Sequence, residues 1–581
     1  MPEIDKVLVS ILQRRFKSIA EEMSIALTKT TRSPILCEAQ DFVTGLYDAK
    51  GKMLEQKENL PILSFSLGPV CEYIAEFFEG DLHPGDVIFH NDVFSLGNQN
   101  NDVAVYKPIF HEPEGSEPVL VGWAACKGHQ ADIGGAVRGG YNPQATEVWQ
   151  EALRIPPVKV IEKGKVKKDV WGLIFANIRL KIVEEDMRAQ IGSCTVGERG
   201  VKALVGKYGL DVFDAHKQYL FDATEKMMRA EIRSIPDGAY EGEATGYYDG
   251  KNPGSKYTIR VKVDVKGDDI HFDFTGTDPQ TKGFVNGTYT SSASAVMLTF
   301  LQMVNPDMPH NDGMVRPVRM TIPQGTVINA SYPAATTYGN HLCPLTASAI
   351  QRALAPVIPG RVTAEWNSLL CSLTTGIDPR KGEPFVDICF MGLKGGSGAI
   401  EGSDGYDHIG MIDASGGVLD QDYEMFELQT PHRVLRHEYW TDSAGAGTWR
   451  GGLGVVTELV YGGEGVKFVT FGEGDIEPPL GVNGGKPGAL NKIELRYPDG
   501  TVYAANTKDL VENVPAGTVY HQEAGGGGGC GDPRKRPADR VLQDVREGKV
   551  SIDAARDDYG VAIDPESLAV DEEKTKALRG S

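Results

Sequence analysis

The residue types that could do chemistry concentrate between positions 91 and 135. Asn91-Asp92-Val93-Phe94-Ser95-Leu96-Gly97-Asn98-Gln99-Asn100-Asn101-Asp102 is followed by an apolar run and then by Gly128-His129-Gln130-Ala131-Asp132-Ile133-Gly134-Gly135. Carboxylates, carboxamides and one imidazole thus flank a segment that reads as paired strands. An antiparallel pair would bring both polar clusters to one end of a sheet. Asp41, at the mouth of an expected hairpin, joins Asp102, His129 and Asp132 as the candidate catalytic set. Such groups move protons, or offer oxygen and nitrogen to a divalent ion. If zinc or manganese binds, Asp41, Asp102 and His129 are its expected ligands. A metal is not favoured here, because the sequence has no dense His/Cys cluster. A plain hydrogen-bond network is the alternative use of the same residues.

The elements that must position these groups are legible from periodicity. Ile4, Leu8, Ile11, Ile19, Met23, Ala26 and Leu27 recur mostly at helical spacing, which predicts a long amphipathic helix over 4–31. Phe42 to Leu54 reads as a hairpin turning at Asp48-Ala49-Lys50-Gly51. A second helix is expected near 69–79. Helices are expected over 184–191 and 200–230, with Ile191-Gly192-Ser193 as a break. Alternation then predicts strands at 259–265 and 270–274, followed by helices at 292–303 and 346–355. The stretch 430–520 is Gly-rich and strand-like. The fold class is therefore mixed α+β, with β-hairpins, mixed sheets and a strand-dominated C-terminal third. Three parts are expected: an N-terminal lobe with the polar motifs (1–235), β-rich central and C-terminal lobes (236–530), and a charged tail segment (531–581).

Composition bounds the function. A chain of 581 residues exceeds what one core needs. The net charge of −21 argues against a nucleic-acid or anionic-membrane binder. No apolar run reaches the roughly 18 residues of a membrane helix, and the N-terminus lacks signal-peptide features. Eight scattered cysteines without a C-x-x-C pair fit reduced thiols in a cytoplasmic protein.

Nucleotide motifs are missing: there is no G-x-x-x-x-G-K-[ST], and no strand–G-x-G-x-x-G–helix arrangement. Any ATP would then bind a partner chain. Gly525–Gly529 could present N–H groups to an anion, or could be a turn or close-packed crossing. Gly395-Gly396-Ser397-Gly398-Ala399 is a near match to a nucleophile elbow, but a polar loop follows it, which favours a Gly-rich turn.

Over almost its whole length the chain resembles the hydantoinase B/oxoprolinase family. The likeness is carried by Asp41-Phe42, Gly85 to Asp92, Gly128 to Gly135, Glu151-Ala152-Leu153-Arg154-Ile155-Pro156-Pro157, Asp186 to Gln190, Asp273 to Thr277, Asp442 to Gly454 and Gly525 to Pro533. The resemblance implies one half of an ATP-dependent two-component enzyme. A hydantoinase A-like partner binds ATP and phosphorylates a substrate carbonyl oxygen, and the B-type chain handles the activated species. Further small subunits can accompany the pair. Hydrolytic members carry Gly-Gly-Thr-His-x-x-Asp, and here the His position is Gln99. An amide oxygen replaces imidazole poorly on zinc or manganese, which lowers the case for a metal-activated water. Carboxamides donate well to an oxyanion, so Asn98, Gln99, Asn100 and Gln130 are the expected substrate-binding groups. This reading favours a B-type subunit of a cytoplasmic ketone carboxylase of the acetophenone type. A hydantoinase, oxoprolinase or lactamase-type amidohydrolase subunit is the first alternative, and a non-catalytic structural subunit the second.

Overall fold

The computed structural model describes residues 2–392 and 394–580, with the side chains of Leu370 and Cys371 outside the description. The remaining seven cysteines are free thiols. The architecture is mixed α+β and divides into two compact units. One comprises residues 1–241, 257–346 and 417–419, and the other 242–256, 347–416 and 420–581. Residues 257–346 therefore group with the first unit, although they follow position 235 in sequence.

The first unit is organised by a seven-stranded sheet: β1 (Phe42–Asp48), β2 (Met53–Glu58), β3 (Val87–His90), β4 (Asp102–His111), β5 (Val119–His129), β6 (Val158–Glu162) and β7 (Lys165–Val166). Their order is β2-β1-β5-β4-β3-β6-β7. β5 lies antiparallel between β1 and β4, so the start of β1, the end of β5 and the start of β4 share one edge. Asp102 and His129 are direct register partners, and Phe42 faces Gly128. Trp123, Ala124, Ala125 and Cys126 are fully buried, which is why β5 reads as an apolar run rather than an alternating one.

The N-terminal helix spans Lys6–Thr30 and starts where the Asp5 side chain accepts from the Val7 N–H at 2.8 Å. Its buried stripe includes Leu12, Phe16, Ile19, Met23 and Leu27. It packs on the helix Lys181–Tyr208, which in turn covers β4 and β5. That second helix runs through Ile191-Gly192-Ser193, where the sequence predicted a break. An exposed helical glycine costs only about 1 kcal/mol. Against it, Ser193 donates to the Met23 carbonyl at 2.8 Å and the neighbouring side chains are buried. The real interruption is Gly209, between this helix and Leu210–Arg233. The expected helix near 69–79 spans Leu67–Phe77, and those expected at 292–303 and 346–355 span Tyr289–Leu301 and Cys343–Leu354.

The second unit holds a four-stranded sheet (Leu369–Asp378, Glu383–Ile388, Glu464–Gly472, Leu510–Val514) and a five-stranded one. The five strands are Arg433–Tyr439, Val455–Val460, Val519–Ala524, Lys492–Arg496 and Val502–Ala505. Leu459, Tyr461, Phe468, Leu495 and Tyr520 lie in their common core. The charged tail segment is folded: helices Ala538–Arg546, Ile552–Asp557 and Glu572–Arg579 accompany a small core of Val541, Val550, Ala555, Tyr559 and Val561. Among the described residues no helix is long and apolar enough to cross a membrane.

Candidate functional site

The shared edge of β1, β5 and β4 collects three of the predicted residues. His129 N–H donates to the Asp41 carbonyl at 3.1 Å, and the His129 Nδ1 to Asp102 Oδ1 distance is 2.9 Å. The other Asp102 oxygen accepts from Asn340 Nδ2 at 2.8 Å. Asp102 therefore orients the imidazole, while His129 Nε2 and Asp41 Oδ1 are buried without a hydrogen-bond partner.

Burial pushes the Asp41 carboxyl up to about 7; the His129 charge pulls it down and the Asp102 charge adds to the rise. For His129 burial acts downward, but the Asp102 hydrogen bond and the two carboxylate charges outweigh it and leave the imidazole above its ordinary value. The edge thus pairs a carboxyl poised near neutrality with an imidazole biased towards its cation. That is the equipment of general acid–base catalysis.

Four residues that sequence reasoning missed complete the network. Asn340 and His341 arrive on the short turn Gly339–Leu342, far along the chain from Asp102. Asn340 Nδ2 also donates to Gln99 Oε1 at 3.0 Å, Gln99 Nε2 donates to the Tyr141 hydroxyl at 2.9 Å, and that hydroxyl lies 3.1 Å from His341 Nε2. Burial holds His341 down to about 3, so the imidazole is neutral, and its tautomer sets which of the two atoms donates in this contact. The Tyr141 ring also stacks on His129, with centroids 5.8 Å apart and planes 19° apart. Lys127, two residues before His129 on β5, is the fourth: its ammonium donates to Ser66 Oγ and, at 2.7 Å, to Asn98 Oδ1, and burial lowers it to about 8. A lysine in a buried strand was a signal available in the sequence. Asn340-His341 carries no local motif.

The other predicted residues lie as follows. Asp132 is spent on Arg179, whose guanidinium and backbone N–H reach it at 2.8 and 3.0 Å, and on Gly139 N–H at 3.3 Å. It fastens the loop that carries Tyr141. Asn98 is used at both ends, by Lys127 and by the Ile62 carbonyl at 3.0 Å. Gln130 Nε2 bonds Gln190 Oε1 at 3.1 Å, and its own Oε1 is without a partner. Gln99 bridges Asn340 and Tyr141 instead of presenting a vacant amide. Asn100 alone of the four carboxamides keeps both side-chain polar atoms unpartnered.

The expected metal ligands were tested against this donor set. Asp41 Oδ1 and His129 Nε2 are unspent, and each Asp102 oxygen accepts one hydrogen bond. Among the described residues no group of three or more His, Cys, Asp or Glu side chains could hold an ion. As arranged, the three do not fit a three-ligand metal centre, and no step below passes through one. The Gly-rich alternatives also resolve. Gly526, Gly527, Gly528 and Gly529 donate their N–H groups to the carbonyls of Ser443, Gly452, Glu365 and Lys486, and Gly525 donates to Asn491 Oδ1. No donor is left to cradle an anion. Ser397 Oγ accepts from Tyr406 N–H at 2.8 Å within a loop, without the strand and helix of an elbow.

Against known proteins, the profile of the Hydantoinase B/oxoprolinase family matches residues 5–533. The chain is 36% identical over 595 aligned residues to the caprolactamase subunit beta of Pseudomonas jessenii, covering 100% of both. The crystal structure of ATP-dependent caprolactamase from Pseudomonas jessenii superposes with a TM-score of 0.91 at 35% identity, over all of both chains. A nucleotide-free acetone carboxylase structure gives a TM-score of 0.90 at 20% identity, over 99% of this chain and 82% of that one, a likeness of fold alone. With the family profile spanning nearly its full length, this chain belongs to the hydantoinase B/oxoprolinase family.

Proposed function

We propose that this chain is the B-type subunit of an ATP-dependent, multi-subunit enzyme that opens a cyclic amide, with a hydantoinase A-like subunit binding ATP and phosphorylating the carbonyl oxygen. The observation that carries the reading is the buried Asp41–His129 pair, with Asp41 Oδ1 and His129 Nε2 unspent and Asp102 fixing the ring. The full-length identity to a caprolactamase subunit supports the same choice. Water adds to the phosphorylated carbon while its proton passes to the Asp41 carboxylate. As the C–N bond breaks, the leaving nitrogen takes one proton from the His129 imidazolium and a second from the hydroxyl of the adduct, whose oxygen becomes the carbonyl of an acyl phosphate as the amine departs. A second water then hydrolyses the acyl phosphate to carboxylate and inorganic phosphate. This weighs the amidohydrolase above the ketone carboxylase preferred from sequence, because Gln99 spends its carboxamide on Asn340 and Tyr141.

The carboxylase remains the second reading on one observation, the unspent amide of Asn100, a donor for an enolate or carboxylate oxygen. The co-purified complex is assayed with ATP and caprolactam, and in parallel with ATP, bicarbonate and acetophenone. ATP-dependent ring opening without carbon fixation is the expected result. Bicarbonate incorporation without ring opening would reverse the choice. If the Asp41→Ala, His129→Ala double variant assembles and keeps full activity, the chain is a structural subunit.

A further inference from the structure

The segment Glu151-Ala152-Leu153-Arg154-Ile155 touches no reacting group described above, yet it bonds to both chain segments that build the site. Towards the β4 side, Asn91 is the tie. Its Nδ2 donates to the Leu153 and Asn100 carbonyls at 2.9 and 2.6 Å, and its Oδ1 accepts from Ile155 N–H at 2.6 Å. Arg154 adds a two-toothed pair with Asp92, both contacts at 2.9 Å. These bonds fix the ends of the loop that delivers Gln99 and Asp102. Towards the Asn340 side, the fully buried Glu151 carboxylate accepts Thr336 N–H and Thr337 N–H, one on each oxygen, at 2.8 Å. The Arg154 guanidinium also lies 5.2 Å from the centre of the Tyr332 ring.

The segment is itself clamped. Gly135 has φ +80°, and a Cβ there would stand 2.2 Å from the Glu151 carbonyl oxygen, so the backbones touch. A carboxylate is an expensive group to bury, and here two backbone N–H donors offset that cost. What Glu151 supplies is two acceptors with fixed separation, which set two consecutive N–H groups, and through them the turn bearing Asn340 and His341.

We propose that Glu151 is a positioning residue: with Arg154 it makes residues 151–155 a brace that holds Asn340 and His341 in register with Gln99, Asp102 and Tyr141. The inference rests on the amide-opening reading for its kinetic arm only. Glu151→Gln keeps the size but turns one acceptor into a donor facing an N–H. In the active complex with caprolactam it lowers kcat by roughly 10–100-fold, the scale of an ångström-level misplacement, and leaves KM within about twofold. In an Asn340→Ala background the same substitution costs less than about threefold, because the groups it acts through are already uncoupled.

The second arm needs no activity. In the full-length chain labelled with ¹⁵N-histidine, Glu151→Gln shifts the His341 ring nitrogens and leaves those of His432 unmoved. An unchanged His341 signal, or full additivity with Asn340→Ala, overturns the proposal. If the wild-type complex does not open lactams, the amide-opening reading fails by itself and the histidine spectra decide on the brace. Should Glu151→Gln not fold, shown by loss of the His432 signal, Glu151→Asp keeps the charge, shortens the reach by one methylene, and is read in the same way.

Discussion

Two polar-looking regions of this chain have opposite fates. The edge of β1, β5 and β4 keeps buried atoms unspent, at Asp41 Oδ1, His129 Nε2 and Asn340 Oδ1. The Gly525–Gly529 run, an equally suggestive motif, donates every one of its N–H groups to another part of the fold. Buried polar atoms are nearly always satisfied, and it is the gathering of three unsatisfied ones on a single edge that singles this place out. The lesson is that a motif earns a chemical reading from what its atoms have left over, not from its residue types.

The comparison breaks most visibly at His129. His129→Ala lowers complex turnover by about 10³–10⁴-fold, the upper range for a lost acid–base group, while size-exclusion elution of the complex is unchanged. Loss of assembly instead would make the edge structural. Gly527→Ala acts through the fold: a Cβ there would meet the Ser397 carbonyl oxygen at 2.0 Å. Destabilisation of about 3 kcal/mol in denaturant melts is expected, and phosphate gives no protection, since no donor is free.

The pH dependence sharpens the contrast further. With the Asp41 carboxyl near 7, kcat/KM climbs up to tenfold per unit below that pH as the base ionises, and falls again at higher pH as the His129 imidazolium gives up its proton. Asp41→Asn removes the rising limb along with most of the activity. Stability runs the other way. Asp41, Glu55, Glu151 and Asp387 are all raised by burial to about 7. Folding therefore takes up protons above the ordinary carboxylate range, and the stability these groups confer is lost as pH rises from about 4 through 7. Thermal melts should move up by a few degrees, ~3–6 °C, between pH 8 and 6, and Asp387→Asn should flatten that slope without touching turnover. The smallest effect expected is in elemental analysis, with well under one tightly bound zinc or manganese per chain. A stoichiometric metal lost on His129→Ala would overturn the donor-set argument.

Much of this molecule is legible in its residues because strand pattern and helical stripe are local properties. The apolar stretch between the two polar clusters is enough to bring them to one end of a strand pair, and the hairpin after Asp41 brings that carboxylate near; the pairing of Asp102 with His129 is set by the register of β4 and β5. The N-terminal helix follows from its apolar spacing. At Gly192 the sequence predicts a break, because it does not show that Ser193 bonds Met23 across the packed helices.

What only the tertiary structure decided is which polar atoms are spent. Gln99 is occupied by Asn340 and Tyr141, Asp132 by Arg179, and Asn98 by Lys127, all through contacts across long stretches of chain. Asn340 meets Asp102 from a turn that follows the Thr336 and Thr337 N–H groups bound by Glu151, contacts that no local spacing announces. Closure of a long loop is set by the summed packing of the whole unit, not by spacing along the chain. For that reason the sequence is enough to gather the polar edge, and the fold alone decides which of its atoms stay unpartnered.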